Sequence, residues 1–323
     1  MMTSTAPVTP QAVAEVEVTV PATSANLGAG YDSFGIALDI RDTVRARLHD
    51  APVDPSDCVR ITGEGADEVP TGQDHLILRV MREVLAARGV ETADRISLEC
   101  ENVIAHSRGM GSSAAAVVAG IAIADAASAF AGLPAPSPEE KLAWATHFEG
   151  HPDNAAPAIF GGVTVSYSDS HGQARSVSVP VAEDVSAVLI VPDERLDTSV
   201  ARSLLPETVP HADAAANAAI AGLFVYAIGH DPGLLFDATV DRLHQNYRRP
   251  AMTAALERVD ALRAAGLAAV VSGAGPTVLV LGSDDDLAAQ VGAVLTGDAA
   301  RIVPAAIAET GVEVMTTDCR LRA

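Results

Sequence analysis

The chain has 323 residues, of which 49% are hydrophobic, so it can bury the core of one large domain or two smaller ones. Its 42 acidic residues outnumber its 21 basic residues, and the net charge of −21 argues against nucleic acid or an anionic membrane surface as the main partner. Lys141 is the only lysine and lies in SPEEKLAWA, which excludes both a Walker A loop and the strand lysine of a protein kinase.

The first part of the chain combines strand patterns with polar loops. Residues 1–14 are expected to form a disordered tail. Residues 16–20 alternate valine with polar residues and predict a half-buried strand that ends at Pro21. The polar, glycine-rich segment PATSANLGAGYDSFG follows and returns to an apolar run. Residues 41–72 indicate strands and turns, and HLILRVMREVLAARG predicts an amphipathic helix closed by Gly89.

The remainder of the chain also mixes both element types. Residues 96–100 alternate as a strand, which leads into the loop HSRGMGSSAA and an alanine-rich helix. Ser137 and Glu140 form a predicted capping box, and the helix that they begin is expected to end near Gly150. Further elements are expected in this order: helices at 211–228 and 251–265, then two strands on either side of the turn in GLAAVVSGAGPTVLVLGS.

The polar stretch SYSDSHGQARS indicates a domain boundary near residue 175, between an N-terminal domain of residues 15–175 and a C-terminal domain of residues 176–323. The three cysteines have no metal-like spacing and are expected to be reduced thiols in a cytoplasmic protein. No secretory signal pattern is visible at the N-terminus. Residues 114–132 are apolar enough for a membrane span, but their many alanines and Asp125 favour a buried helix.

The loop at residues 105–115 has the composition of an anion site. A strand that enters a glycine loop and opens a helix leaves several N–H groups pointing at one place, and the helix dipole adds to their attraction for phosphate. Lysine is dispensable in such a site. The structural alternative is a tight turn for helix packing. A dinucleotide loop is excluded by context, because no second strand carrying an acid follows the helix.

Other polar residues near these loops have structural alternatives as well. His147 and His151 are four residues apart, but Gly150 and Pro152 should break the helix between them, so a zinc site is not expected. Glu149 is either a solvated surface charge or a magnesium ligand. The polar residues of PATSANLGAGYDSFG and the turn SGAGPT could be turn chemistry alone.

Together, however, these segments resemble the galactokinase, homoserine kinase, mevalonate kinase and phosphomevalonate kinase superfamily. Its first motif is similar to PATSANLGAGYDSFG, its phosphate loop to HSRGMGSSAAA and its third motif to SGAGPT. The resemblance extends from about residue 16 to residue 282. Within the superfamily, EGHPDNAAPAIFGG, DTSVARSLLP and DRLHQNYRRPAM resemble the homoserine kinase branch.

The resemblance implies an α+β fold in two domains, with ATP in the cleft. The N-terminal domain would be similar to the second domain of ribosomal protein S5, and the C-terminal domain would be ferredoxin-like. Ser112 and Glu149 would hold Mg²⁺ and, with Asp32, form the catalytic group. The triphosphate of ATP would be wrapped by a run of loop residues: Ala105, His106, Ser107, Arg108, Gly109, Met110, Gly111, Ser112, Ser113, Ala114 and Ala115.

The same resemblance assigns the amino and hydroxyl end of the substrate to polar residues of the first and second motifs. Asn26 and Asp32 would hold this end, and Asp32 is suited to pair with an ammonium group. His151 and Asn154 would complete the polar shell.

The substrate carboxylate is assigned to arginines of the second half. Arg202 and Arg248 would grip it, because guanidinium groups bind carboxylates through two parallel hydrogen bonds. Arg249 is an adjacent alternative to Arg248. Gly273 and Gly275 would let the third loop approach the substrates.

The implied activity is that of ATP:L-homoserine O-phosphotransferase (EC 2.7.1.39), which makes O-phospho-L-homoserine for threonine biosynthesis. No residue is required as a general base, since phosphoryl transfer depends mainly on positioning and charge neutralisation. The expected partners are ATP and L-homoserine, in a cytoplasmic homodimer with no membrane or nucleic acid contact. The alternatives are a related kinase acting on mevalonate or shikimate, and a non-catalytic sensor of ATP and a small ligand.

Overall fold

The computed structural model describes residues 10–91 and 93–318 of the chain. Within these residues the strands, in chain order, are β1 (Ala12–Ala25), β2 (Phe34–His49), β3 (Val59–Gly63), β4 (Ile96–Asn102), β5 (Val163–Ser168), β6 (Ala174–Val179), β7 (Ser186–Val191), β8 (Ala268–Val271), β9 (Val278–Gly282), β10 (Arg301–Ala305) and β11 (Glu313–Asp318). The α-helices are α1 (Leu76–Ala87), α2 (Ser112–Phe130), α3 (Pro138–Glu149), α4 (Ala155–Phe160), α5 (Thr198–Ser203), α6 (His211–His230), α7 (Leu235–Ala238), α8 (Thr253–Ala264) and α9 (Leu287–Val294). Mixed helices and sheets confirm the predicted α+β class.

The first sheet carries the N-terminal half of the protein. Its path runs β11-β1-β2-β4-β3, and β5 joins β2 and β6 at one end. Most neighbours are antiparallel, but β3 runs parallel to β4. The predicted strand at residues 16–20 is confirmed as part of β1, which continues beyond Pro21 to Ala25. A register shift between Pro21 and Ala22 accommodates the proline, since a bulge needs no ladder hydrogen bond there.

Helix α2 is the central helix of the N-terminal half. It packs on β1 and contacts α1, α3 and α4, which accounts for its apolar composition. By length and composition alone, α2 and α6 could cross a membrane, with mean hydropathies of 1.7 and 1.4. In α2, 67% of the apolar window is buried inside the protein, against 22% in α6. The core thus explains α2, whereas α6 leaves apolar side chains such as Val225 and Tyr226 exposed.

Local sequence signals for helix ends agree with the structure. Ser137 accepts a hydrogen bond from the Glu140 N–H, and the Glu140 side chain accepts one from the Ser137 N–H at 2.7 Å, which confirms the capping box at the start of α3. Gly150 ends this helix with a φ of 82°, a left-handed conformation that glycine adopts without strain. The predicted helix closed by Gly89 is confirmed as α1.

The second sheet has the order β10-β7-β9-β8, and its strands β7, β9 and β8 are buried on both faces. In β7, Leu189 and Val191 join the core beneath α2, whereas Val188 and Ile190 face a second core built with α8 and α9. Strands covered on both sides are apolar at every position, which explains the continuous hydrophobic runs around SGAGPT.

Two predicted boundaries differ from the structure. Residues 1–9 of the expected tail lie outside the described residues, but Ala12 and Ala14 already belong to β1 and face His49 and Leu48. The boundary at residue 175 falls inside β6, which pairs with β5 along its length. The chain leaves the first sheet after Val179, and β11 returns to it near the C-terminus. The polar composition that suggested a linker belongs to a solvent-facing hairpin.

Candidate active site

The predicted anion loop connects β4 to the first turn of α2. Gly111, with a φ of 72°, precedes the helix, and the helix begins at Ser112. The first N–H groups of an α-helix have no acceptor within the helix, so those of Ser112, Ser113 and Ala114 are available to a ligand. They lie at the positive end of the helix dipole. The loop therefore provides an anion site made of backbone groups.

Glycines allow this loop to contact the other two motifs closely. A Cβ atom at Gly109 would lie 2.2 Å from the carbonyl oxygen of Ser272, and one at Gly111 would lie 1.9 Å from Oγ1 of Thr23. The Ser272 hydroxyl donates to the Gly109 carbonyl at 2.6 Å, and the Thr23 N–H donates to the Met110 carbonyl at 3.0 Å. Three segments that are far apart in the sequence thus meet around the start of α2.

A charged cleft of about 390 Å³ opens where these segments meet. Thirteen of the predicted site residues line it: Asn26, Ser107, Gly109, Gly111, Ser112, Ser113, Ala114, Glu149, His151, Asn154, Arg202, Arg248 and Gly273. Both arginines and several acidic groups therefore share one cleft with the free end of α2. We call this space the polar cleft.

A second cavity, of about 230 Å³, also borders the loop and is mainly apolar. Ser107, Ser112 and Ser113 line both spaces, so the two meet at the start of α2. We call this space the apolar pocket. Its walls include His75 and predicted site residues His106 and Ala115, together with aliphatic side chains: Val20, Val44, Val69, Leu76, Ile77, Ala116 and Ala119.

Some predicted site residues line neither space. Ala105 and Met110 are buried in the core. The Arg108 side chain donates to the carbonyl oxygens of Pro192 and Asp193, at 2.9 and 3.0 Å, and so ties the loop to the end of β7. Gly275 was predicted to let the third loop approach the substrate. It faces the core instead, where a Cβ atom would lie 2.9 Å from the Met252 sulfur.

Glu149 lies beside the free end of α2. Ser113 Oγ donates to Glu149 Oε1 at 2.6 Å. Ser112 was predicted to bind magnesium together with Glu149, but it is the next residue, Ser113, that contacts this carboxylate. Burial raises the pKa of Glu149, and the hydrogen bond from Ser113 opposes this rise. A partly buried carboxylate thus stands beside the predicted phosphate position.

The loop HPDN forms another wall of the polar cleft. His151 Nδ1 lies 2.5 Å from Asp153 Oδ1, and this hydrogen bond raises the pKa of His151. Asp153 is almost fully buried and also accepts from the Asn154 N–H. Asn154 Oδ1 in turn accepts from the Thr23 hydroxyl at 2.9 Å. The loop is therefore held rigidly against β1, with His151 and Asn154 facing the cleft.

Asn26 connects the first and third motifs. Its Nδ2 donates to the Gly273 carbonyl at 2.8 Å, and its Oδ1 accepts from the Asp32 N–H at 3.0 Å. Asn26 has a φ of 72°, in the left-handed region that asparagine tolerates better than most residues. Its amide serves first to shape the loops, although it also lines the cleft.

Asp32 and Arg202, assigned to opposite ends of the substrate, bind each other in the structure. Arg202 Nη2 donates to Asp32 Oδ1 at 2.6 Å and Nη1 donates to Oδ2 at 3.0 Å. The Tyr31 hydroxyl accepts a third hydrogen bond from Nη1 at 2.9 Å. Arg202 forms part of the wall of the polar cleft, and Asp32, which does not line the cleft, is held at its border by this ion pair.

Arg248 is the buried cation of the cleft. Only 2% of its surface is exposed, and burial lowers the pKa of its guanidinium group. Nη1 lies 3.3 Å from both the Gly273 carbonyl and His244 Nδ1, and Nε has no acceptor among the described residues. His244 Nε2 donates to the Gly28 carbonyl at 2.9 Å, which fixes Nδ1 as an acceptor. The alternative residue, Arg249, is 37% exposed and pairs with Asp260 outside the cleft.

Four residues of this region were not singled out from the sequence: Tyr31, His75, Asp153 and His244. Three of them lie inside motifs that carried the resemblance, GYDSFG, HPDN and DRLHQNYRR, so position within a motif was an available signal. His75 begins the predicted helix α1, and no local pattern distinguishes it. Only the structure brings it to the apolar pocket.

The chain is similar to known proteins of one kinase family. The family model described as GHMP kinases N terminal domain matches residues 75–162, and the model described as GHMP kinases C terminal matches residues 224–299. A homoserine kinase of Clavibacter michiganensis subsp. michiganensis is 45% identical over 269 residues, which cover 83% of each chain. A homoserine kinase of Rhodococcus erythropolis is 42% identical and covers 94% of this chain and 96% of its own.

A solved structure also has this fold. The crystal structure of homoserine kinase from Cytophaga hutchinsonii superposes with a TM-score of 0.79 at 24% sequence identity, over 93% of this chain and 97% of its own. It supports the two-domain fold alone at that identity, whereas the sequence relatives above share far more residues over most of their length. By this likeness the chain belongs to the homoserine kinase family of the GHMP kinases.

Proposed function

We propose that the protein transfers the γ-phosphoryl group of ATP to the side-chain hydroxyl of L-homoserine and thereby makes O-phospho-L-homoserine. The observation that carries this proposal is the meeting of two unlike spaces at the free end of α2. One space is apolar and suits a nucleobase, and the other is charged and suits a small zwitterion. A triphosphate at the helix end would join them, and the GHMP kinase family supports ATP as the donor.

The base of ATP would enter the apolar pocket. Aliphatic side chains there can pack on both faces of a planar ring. Only 4% of the His75 surface is exposed, and its Nδ1 has no hydrogen-bond partner among the described residues. Burial lowers the pKa of His75 to about 4, so this nitrogen is neutral near pH 7 and can bond to a base edge. Backbone N–H groups at the start of α2 would hold the phosphates in this acidic protein.

The residues beside the phosphate position fit Mg²⁺. Magnesium in phosphoryl-transfer sites takes one or two carboxylates together with phosphate oxygens and waters. Glu149 supplies one carboxylate, and the hydroxyl groups of Ser112 and Ser113 lie at the same helix end. When bound, the ion would neutralise charge on the transferring phosphoryl group. In the proposal, Glu149 and Ser112 hold it, and Ser113 orients Glu149.

Homoserine would lie in the polar cleft, between the two arginines Arg202 and Arg248 on one side and the phosphate loop at residues 105–115 on the other. The unpartnered Nε of Arg248 can donate to the substrate carboxylate, and Arg202 can add a second guanidinium. Asp32 can pair with the ammonium group. The hydroxyl would then point towards the start of α2, near His151 and Asn154. Binding and orientation by these residues supply the main catalytic effect.

We also propose a cytoplasmic homodimer. Cys58 and Cys100 are free and buried, which suits a reducing compartment. The exposed apolar side chains of α6 favour association of two copies. Light scattering after size-exclusion chromatography would test the dimer, and a mass near 33.1 kDa would contradict it.

A coupled ADP-release assay tests the activity. Purified protein with Mg-ATP should phosphorylate L-homoserine far faster than mevalonate or shikimate, because Asp32 selects for an ammonium group. If mevalonate or shikimate, which have no amino group, were turned over faster than homoserine, homoserine would be rejected as the substrate. No ADP release with any alcohol, but ATP binding by calorimetry, would favour the sensor alternative. Ser112→Ala should lower kcat more than it raises KM for homoserine, since the loss affects the transition state.

A further inference from the structure

The bidentate ion pair between Asp32 and Arg202 already satisfies the two groups that a zwitterion would use. The two hydrogen bonds, of 2.6 and 3.0 Å, are parallel, the strongest arrangement for these side chains. Both side chains are about one-third exposed, at 35% and 34%, so the pair is only partly screened by water. Neither group can bind a substrate charge at full strength while they hold each other.

We propose that homoserine binds by exchanging its own charges for this ion pair. The ammonium group takes the place of Arg202 on Asp32, and the carboxylate takes the place of Asp32 on Arg202. This inference rests on the proposed function, because it needs a substrate that carries both charges. Two protein–substrate pairs replace one pair within the protein, and no charge is left without a partner.

The exchange makes the pair a device for substrate specificity. A ligand with a carboxylate alone must take Arg202 from Asp32 and leave a partly buried carboxylate unpaired. A ligand with an ammonium alone leaves Arg202 unpaired in the same way. Leaving one charged partner unsatisfied costs more than the intact pair contributes, so both kinds of ligand are rejected. Only a ligand with both charges avoids this cost.

Neighbouring residues keep each member in place when the pair opens. The Tyr31 hydroxyl accepts from Arg202 Nη1 at 2.9 Å, and the Arg202 guanidinium lies 5.8 Å from the Tyr31 ring centre. Arg202 therefore keeps a partner after Asp32 is displaced. Asp32 is held by its backbone, because its N–H donates to Asn26 Oδ1 and its φ is 54°. Asparagine adopts this conformation at least as readily, so Asp32→Asn preserves the loop.

Two substrate analogues test the exchange. 4-Hydroxybutanoate is homoserine without the amino group, and 3-aminopropan-1-ol is homoserine without the carboxylate. Isothermal titration calorimetry in the presence of Mg-ADP would give their dissociation constants and that of homoserine. Asp32→Asn should weaken homoserine by about 100-fold yet tighten 4-hydroxybutanoate by about tenfold, because Arg202 is then free. Arg202→Gln should weaken homoserine and tighten 3-aminopropan-1-ol by about tenfold.

A matched variant separates pair opening from a general loss of negative charge. Asp197 lines the same cleft and makes no ion pair with any described residue, and its side chain does not cap α5. Asp197→Asn removes one negative charge without freeing an arginine, so it should tighten 4-hydroxybutanoate by less than about twofold. A tenfold gain in this variant would assign the effect to overall charge and overturn the exchange.

The outcomes separate this inference from the proposed function. Normal homoserine binding by the wild type, with neither analogue tightened by its matching variant, would show that the pair stays closed and would overturn the exchange alone. A wild-type protein that binds no homoserine would overturn the proposed substrate and the exchange together. Melting curves would check that each variant folds. If Asp32→Asn were unstable, the binding of 3-aminopropan-1-ol by Arg202→Gln would still test the exchange.

Discussion

The hydroxyl of Ser113 donates a 2.6 Å hydrogen bond to the carboxylate of Glu149, which joins the first turn of α2 to the last residue of α3. A helix start favours anionic ligands, and a partly buried carboxylate beside it would repel them. The combination is favourable when a cation lies between the carboxylate and the phosphates. This relationship therefore supports Glu149 as the magnesium residue more strongly than its position in the sequence does.

Glu149→Gln should lower kcat by about 100-fold or more and weaken the apparent affinity for Mg²⁺, because the neutral amide is a poor ligand for that ion. Steady-state kinetics with a Mg²⁺ titration would measure both effects. Glu139→Gln, at an exposed position in the first turn of the same helix, is the control and should behave as the wild type. Equal activity of the two variants would remove Glu149 from the reaction.

The acid limb of the pH–activity profile should also reflect Glu149. Burial raises the pKa of this carboxyl group above its ordinary value of 4.5. The ionised form is the one that binds a cation, so kcat should fall as the pH decreases through this raised pKa. Higher Mg²⁺ should move the limb to lower pH, because the cation competes with the proton. A limb that does not respond to Mg²⁺ would assign the titration to another group.

Arg248 and the neighbouring Arg249 provide a matched pair of substitutions. Arg248→Lys should lower kcat/KM for homoserine by about 30- to 1,000-fold, since lysine lacks the planar set of donors and cannot replace Nε. Affinity for ATP measured without homoserine should change little. Arg249→Lys should leave the kinetics unchanged, because this side chain pairs with Asp260 at the surface. Reversed effects of the two substitutions would place the other arginine in the cleft.

Gly109→Ala tests the contact between the phosphate loop and the third motif. The new Cβ would lie 2.2 Å from the Ser272 carbonyl, and the φ of 77° is itself unfavourable for alanine. We expect a loss of about 2–3 kcal/mol in the free energy of unfolding, together with a large loss of activity. Gly132→Ala has a similar φ of 81° but no atom within 4 Å, so it should lose only about 1 kcal/mol. Similar losses in chemical denaturation would show that the clash relaxes freely.

His75 should make stability depend on pH. Its pKa falls from 6.5 to about 4 in the folded protein because the ring is buried. The unfolded chain therefore binds a proton that the folded protein excludes between these values, and stability is complete above pH 6.5 and lost as the pH falls towards 4. Between pH 7.5 and pH 5, wild type should lose about 2 kcal/mol more than His75→Asn in urea denaturation. Parallel losses would mean that His75 is hydrated or protonated when folded.

Elements whose signals are local could be predicted from the sequence. The capping box of α3, the glycine that closes α1 and the loop before α2 each depend on residues within a few positions of one another. Patterns of this kind also revealed the motifs, because each motif is a loop with its own backbone requirements. The order and spacing of these motifs along the chain then indicated the superfamily.

Relationships between distant residues were outside the reach of those signals. Asp32 and Arg202 are 170 residues apart, and each was assigned a separate partner until the fold brought them together. Gly275 looked like a residue near the substrate, but its direction depends on how β8 and β9 pack on Met252. The boundary at residue 175 was drawn from polarity, which a solvent-facing hairpin shares with a linker.

The return of β11 to the first sheet has a consequence for synthesis of the protein. Antiparallel pairing joins Glu15 to Thr317 and Thr19 to Glu313, so one edge of β1 acquires its neighbour only after residues 313–317 have left the ribosome. Until then that edge exposes unpaired N–H and C=O groups, which invite pairing with other nascent chains. We therefore expect chains that end before residue 313 to aggregate through this edge of β1. We also expect the edge to need protection by chaperones during translation.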